Sequence, residues 1–232
     1  TLSDGTNGAF PIAVPEDKGY DGTSSGPLYH DGHVFFARRY NRLPFVFWAA
    51  ADTDLLDPSS WSRSNEPIVD FTAAPRAMPG PKVPELIEPD LIVDRRGGMM
   101  MTLRITGTAD LNTGMAVPVV WDGAAASLPP TIDNSHKFAM PGGNVMYSWS
   151  HDAARGRWLT VANTNDPDLA HHWQDQRNVA EMLAVSDADF SKGLAPRSIG
   201  YLVAPGEIDD GMTRAEALRK TGMQYWIHEV LG

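Results

Sequence analysis

The chain has no cysteine. That excludes disulfide staples, thiolate metal sites and thiol nucleophiles, while leaving the compartment open. No run approaches the roughly 18 consecutive apolar residues that a membrane-spanning helix needs. Basic residues are few, 19 against 29 acidic ones, for a formal charge of −10. Nucleic-acid binding is disfavoured, because it needs a positive footprint to displace counterions. The opening TLSDGTNGAF lacks the basic and apolar regions of a signal peptide. Windows free of helix breakers are also scarce, since 21 Gly and 18 Pro are spread along the length. No dinucleotide fingerprint, Walker loop, H-E-x-x-H or G-x-S-x-G occurs. DTDLLDPSSWSRSNE lacks the central Gly of an EF-hand loop.

What is present is a succession of strands and turns. With 232 residues, 42% of them apolar, the chain can bury a real core. HDGHVFFARRY reads as a Gly turn entering a strand, and VDRRGGMMMTLRI and SWSHDAARGRWLTVAN as strand, turn and strand. Their turns at Asp31, Asp94 and Asp152 recur about 60 residues apart, and Trp61 and Trp121 close the first two units. The spacing suits four-stranded units with generous loops. The fold class expected is therefore all-β, a single β-propeller domain over 1–232. Its blades are expected at 31–83, 84–140 and 141–193, with partial blades at both ends. MMMTLRI then reads as a strand buried on both faces between neighbouring blades. A β-sandwich is the alternative. Short loop helices are expected at 166–176 and at 213–220, the latter with Thr213 as N-cap.

The ordered set GPLYHDGHVFFARRYN, DLLDPSSW, PELIEPDLIVD, HKFAMPGGNVMYSWSHDAARGRWLTVAN, NVAEMLAVSDADFSK and LRKTGMQYW resembles a known family. It is similar to the non-viral sialidase, or BNR-repeat, glycoside hydrolase propellers. There are departures. SHDAARGRW has the Ser150, Asp152 and Trp158 of an Asp box, but one residue too many. The Phe-Arg-Ile-Pro arginine has no counterpart, and Tyr20-Asp21 stands where relatives show Tyr-His. Such propellers have six blades, and three clear units lead to the expectation of an oligomer or a complementary chain closing the ring. The resemblance implies a sialidase-like hydrolase of an oligo- or polysaccharide, secreted or periplasmic, with no cofactor.

The chemical candidates start at PELIEPDLIVD. Read as an inner strand, it puts Glu88 and Asp90 on one face, because strand side chains alternate. Paired acids are what glycoside hydrolysis requires. The bland reading of Glu88 is a salt bridge to Arg38, Arg39, Arg95 or Arg104, and Glu85 reads as a solvated loop residue. His136 is a general-base candidate by its intrinsic pKa. Arg38 or Arg39 is a candidate clamp for a substrate carboxylate. Asp21, Lys137, Tyr147, Gln224 and Trp226 complete the expected sugar contacts, with aromatic rings as a stacking platform. The resemblance also implies a Tyr nucleophile backed by Glu88, and Tyr225 and Tyr147 both qualify. No metal is expected: His30 and His33 flank a turn, and adjacent His171 and His172 diverge on a helix. A non-catalytic carbohydrate-binding propeller, a polysaccharide lyase using His136, and a purely structural half-propeller stand as alternatives.

Overall fold

The computed structural model describes residues 26–40, 42–71, 85–93, 96–106, 113–141, 147–163, 180–190 and 196–203. Three antiparallel sheets dominate. The first orders β1 (Leu28–His30), β2 (His33–Tyr40), β3 (Leu43–Ala50) and β4 (Ser62–Arg63) side by side. A short β5 (Ile68–Asp70) follows. The second sheet contains β6 (Glu85–Val93), β7 (Met99–Thr106), β8 (Thr113–Trp121) and β11 (Lys137–Ala139), in the order β11-β8-β7-β6. β9 (Ala126–Ser127) also pairs with β8, and β10 (Thr131–Asp133) pairs in parallel with β5. The third sheet runs in chain order through β12 (Ser150–Asp152), β13 (Arg157–Asn163), β14 (Ala180–Ser186) and β15 (Arg197–Val203). A single turn of helix, α1 (Asp187–Phe190), follows β14.

The recurring turns are topologically equivalent. Asp31-Gly32 joins β1 to β2 and Asp152 leads from β12 to β13; β6 and β7 pair antiparallel in the same way, with Asp94 itself outside the described residues. Each is the first hairpin of its sheet, which is why they recur at an even spacing. The sheets span 28–63, 85–139 and 150–203, so each includes a strand before its turn. Of the expected partial blades, β1 joins the first sheet and β15 the third, and the rest lies outside the described residues, as do both loop helices.

The second sheet is sandwiched, as the apolar run of β7 requires. Alternation sends Leu86, Leu91, Met101, Leu103 and Ile105 toward Phe35, Ala37, Val46 and Trp48 of the first sheet. Ile92 and Met100 go the other way, toward Trp158, Leu183 and Val185 of the third. Met101 and Leu103 are wholly inaccessible. Burying side chains of this size contributes about 1.5–3 kcal/mol each. Trp121 ties two sheets together, its Nε1 donating to Asp31 Oδ2 at 2.9 Å. The DLLDPSSW motif is a cap: Asp57 accepts the Ser59 N–H at 2.8 Å and starts a 3₁₀ turn over Pro58–Ser60. Trp61 then folds back to donate to the Leu55 carbonyl.

Candidate active site

β6 is an edge strand of the central sheet and carries an irregularity. Ile87 pairs with Arg104 and Asp90 with Thr102, so Glu88 and Pro89 together oppose Leu103 alone. This is a β-bulge. Pro89, having no N–H to give the ladder, suits such a position. Glu88 sits at φ 53°, the left-handed region where glycine is the usual occupant. The expected alternation of Glu88 and Asp90 therefore does not hold. The bulge, not the pleat, brings both acids to the seam between the second and third sheets.

There the two carboxylates are 3% and 1% exposed, and each has a defined partner. Arg104 Nη1 donates to Glu88 Oε1 at 3.2 Å and Oε2 at 3.1 Å. Asp90 Oδ2 accepts the backbone N–H of Trp149 at 2.8 Å, joining the first strand of one sheet to the approach of the next. The bland reading of Glu88 was right about a salt bridge, and Arg104 on the adjacent strand is the partner. Tyr147 fills the same seam and donates its hydroxyl to the Leu103 carbonyl at 2.8 Å. Burial pushes its phenol well above the ordinary tyrosine range, Asp90 and Glu88 add to the rise, and Arg104 offsets part of it. Such a phenol stays protonated. Tyr147 is a buried donor in the seam, its hydroxyl given to a backbone carbonyl.

Other expected residues are dispersed. Arg38 pairs with Phe45 and Arg39 with Pro44, so the two arginines point to opposite faces of β2. Arg39, 1% exposed, meets Glu85 Oε2 at 3.4 Å, so Glu85 is an ion-pair partner and not simply a solvated loop acid. Lys137 lies on β11, at the far edge of the central sheet from β6. Three strand spacings, about 14 Å, separate those edges. His136 immediately precedes it and closes a capping box, its Nδ1 accepting the Asp133 N–H at 3.3 Å. Neither joins Glu88 and Asp90, because strand order places them at opposite edges. Asp21, Gln224, Tyr225 and Trp226 lie outside the described residues.

Glu181 was missed. It occupies β14 in register with Ala162 and is 7% exposed, its side chain making no hydrogen bond or ion pair to a described residue. Alternation with Leu183 and Val185 turns it toward the second sheet. The ladder to β15 is irregular at the same point, between Ala180 and Glu181. The available signal was an acid at an inward position of AEMLAVS, an otherwise apolar strand face.

No family model and no curated protein matches the chain. Solved structures do. The chain is similar to an exo-β-1,3-galactanase from Phanerochaete chrysosporium with galactose, at TM-score 0.52 and 8% identity, covering 86% of this chain and 42% of that one. It is also similar to an α-L-arabinofuranosidase from Clostridium thermocellum, at TM-score 0.46 and 10% identity, covering 81% and 53%. The chain thus spans about half the length, or less, of these enzymes. At such identity the likeness is one of fold: an all-β protein whose antiparallel sheets, each with a four-strand path, resemble propeller blades. The sialidase family suggested by the sequence motifs receives no support from these comparisons.

Proposed function

We propose that this chain belongs to a glycan-cleaving propeller, with Glu88 and Asp90 as its acid pair. The observation that carries the reading is the backbone of Glu88. A glutamate buried in a left-handed bulge position costs of order 1–3 kcal/mol, a strain that clusters at functional sites. A neutral sugar such as a galactan or arabinan is the substrate class we favour over an acidic one. Of the two arginines read as a carboxylate clamp, Arg39 is already engaged with Glu85, and Arg104 beside the acid pair is engaged with Glu88. The sialidase-type variant, with Tyr225 as nucleophile, stays within the proposal as its acidic-substrate form. So do a secreted or periplasmic location and association with a second chain; a monomer by light scattering would count against that association.

A second reading is a carbohydrate-binding propeller without catalysis. It is favoured by the hydrogen bonds that occupy both carboxylates. The lyase reading has no such support, since the Nδ1 of His136 serves its cap.

The test is incubation with β-1,3-galactan, arabinan and sialyl-oligosaccharides, with products read by mass spectrometry. Cleavage of a neutral glycan is expected, with Glu88→Gln and Asp90→Asn each lowering the rate by about 10²–10⁴-fold. Full activity in Glu88→Gln would sink the acid assignment. Calorimetric binding without product would establish the second reading.

A further inference from the structure

The seam beside Asp90 holds polar atoms that the glycan-cleaving reading does not use. Thr102 Oγ1, Trp149 Nε1 and Thr160 Oγ1 are buried, with no hydrogen-bond partner among the described residues. Both threonines are 0% exposed. The register aligns all three. Thr102 stands beside Asp90 in the β6–β7 ladder and opposite Ala116 on β8, on the face turned to the third sheet. Asp90 accepts the Trp149 N–H. One residue on, Ser150 pairs with Leu159, which sets Trp149 level with Thr160 on β13. Thr160 lies between Trp158 and Ala162, both of which face the second sheet. A row Thr102, Asp90, Trp149, Thr160 therefore crosses the seam from one sheet to the other.

A buried hydroxyl with no partner is costly, and native interiors satisfy such groups with protein or with ordered water. Facing sheets stand about 10 Å apart, and the neighbours of the two threonines on these faces include the small Ala116 and Ala162. Three buried, unpartnered polar atoms at neighbouring register positions are the kind of lining an internal water uses.

We propose that this row is an internal water site. The water is held by the hydroxyls of Thr102 and Thr160, accepts the Trp149 Nε1–H, and hydrates the Asp90 carboxylate. It adds to the Trp149 N–H that this carboxylate already accepts. The inference stands apart from the glycan-cleaving reading, since it concerns satisfaction of buried groups and not chemistry on a substrate.

Thr→Val substitution tests it, because valine keeps the shape and removes the hydroxyl. Thr102→Val, Thr160→Val and the double variant are melted, and long-lived internal water is followed by ¹⁷O relaxation dispersion. With the water present, each single change strands it and lowers Tm by about 2–4 °C. The double change then lowers Tm no further than the worse single one, and one long-lived water disappears from the dispersion. A dry seam gives the opposite: each valine raises Tm, the effects add, and the dispersion is unchanged. Should the double variant fail to fold, the sign of the two single shifts decides.

Discussion

Arg104 on β7 holds both carboxylate oxygens of Glu88 through one guanidinium nitrogen, at 3.2 and 3.1 Å, inside a seam where Glu88 is nearly inaccessible. The pair is enclosed, so its members depend on each other. Removing one member of a buried pair leaves the other charged and uncompensated. Arg104→Met should therefore lower unfolding free energy by about 3–5 kcal/mol in urea titrations. Arg104→Met combined with Glu88→Gln should recover most of that. Additive losses would mean that the two groups act separately.

The backbone at Glu88 makes a second prediction. Glycine adopts φ 53° without a Cβ penalty, whereas alanine does not. Glu88→Gly and Glu88→Ala both remove the carboxylate, so their difference isolates the backbone. The glycine variant should be the more stable by about 1–2 kcal/mol. An alanine variant of equal stability would show that the bulge stores no strain.

Gly114 on β8 explains how Tyr147 reaches Leu103. A Cβ at this position would lie 2.5 Å from the Tyr147 hydroxyl and 2.7 Å from the Phe138 ring. Gly114→Ala should thus destabilise by about 1–3 kcal/mol through overpacking. Tyr147→Phe alone should cost about 1 kcal/mol for its lost hydrogen bond, and less in the Gly114→Ala background. Equal costs in both backgrounds, read from a double-mutant cycle, would contradict this close approach.

Acid should act through Asp152. Burial pushes its carboxyl up, but the hydrogen bonds from Arg157 and Arg155 outweigh this and hold it below the usual value. A carboxyl depressed on folding stabilises fully above its unfolded pKa of about 3.9 and loses that contribution as pH falls through the folded value. Tm of the wild type should therefore drop below about pH 4 more steeply than that of Asp152→Asn. Parallel curves would remove Asp152 from the acid response.

Much of this was legible along the chain. The even recurrence of Asp31, Asp94 and Asp152 along the sequence matches the three antiparallel pairs, β1–β2, β6–β7 and β12–β13, that open the sheets. The apolar run MMMTLRI announces a strand covered on both faces, and it lies between two core clusters. Glu88 and Asp90 stand out as acids in an apolar strand wherever they end up. These features rest on composition and near-neighbour order.

Other features depend on distant parts of the chain meeting. That Glu88 and Pro89 oppose a single residue is a property of the β6–β7 register, which no pattern in PELIEPDLIVD specifies. Arg104 is a partner of Glu88 because β7 is its neighbour in the sheet. His136 and Lys137 were set apart by strand order, which puts β11 at the opposite edge. Sequence alone settled which segments extend and which groups are worth burying. Tertiary structure alone decided which buried groups meet, because pairing distances depend on register and sheet order.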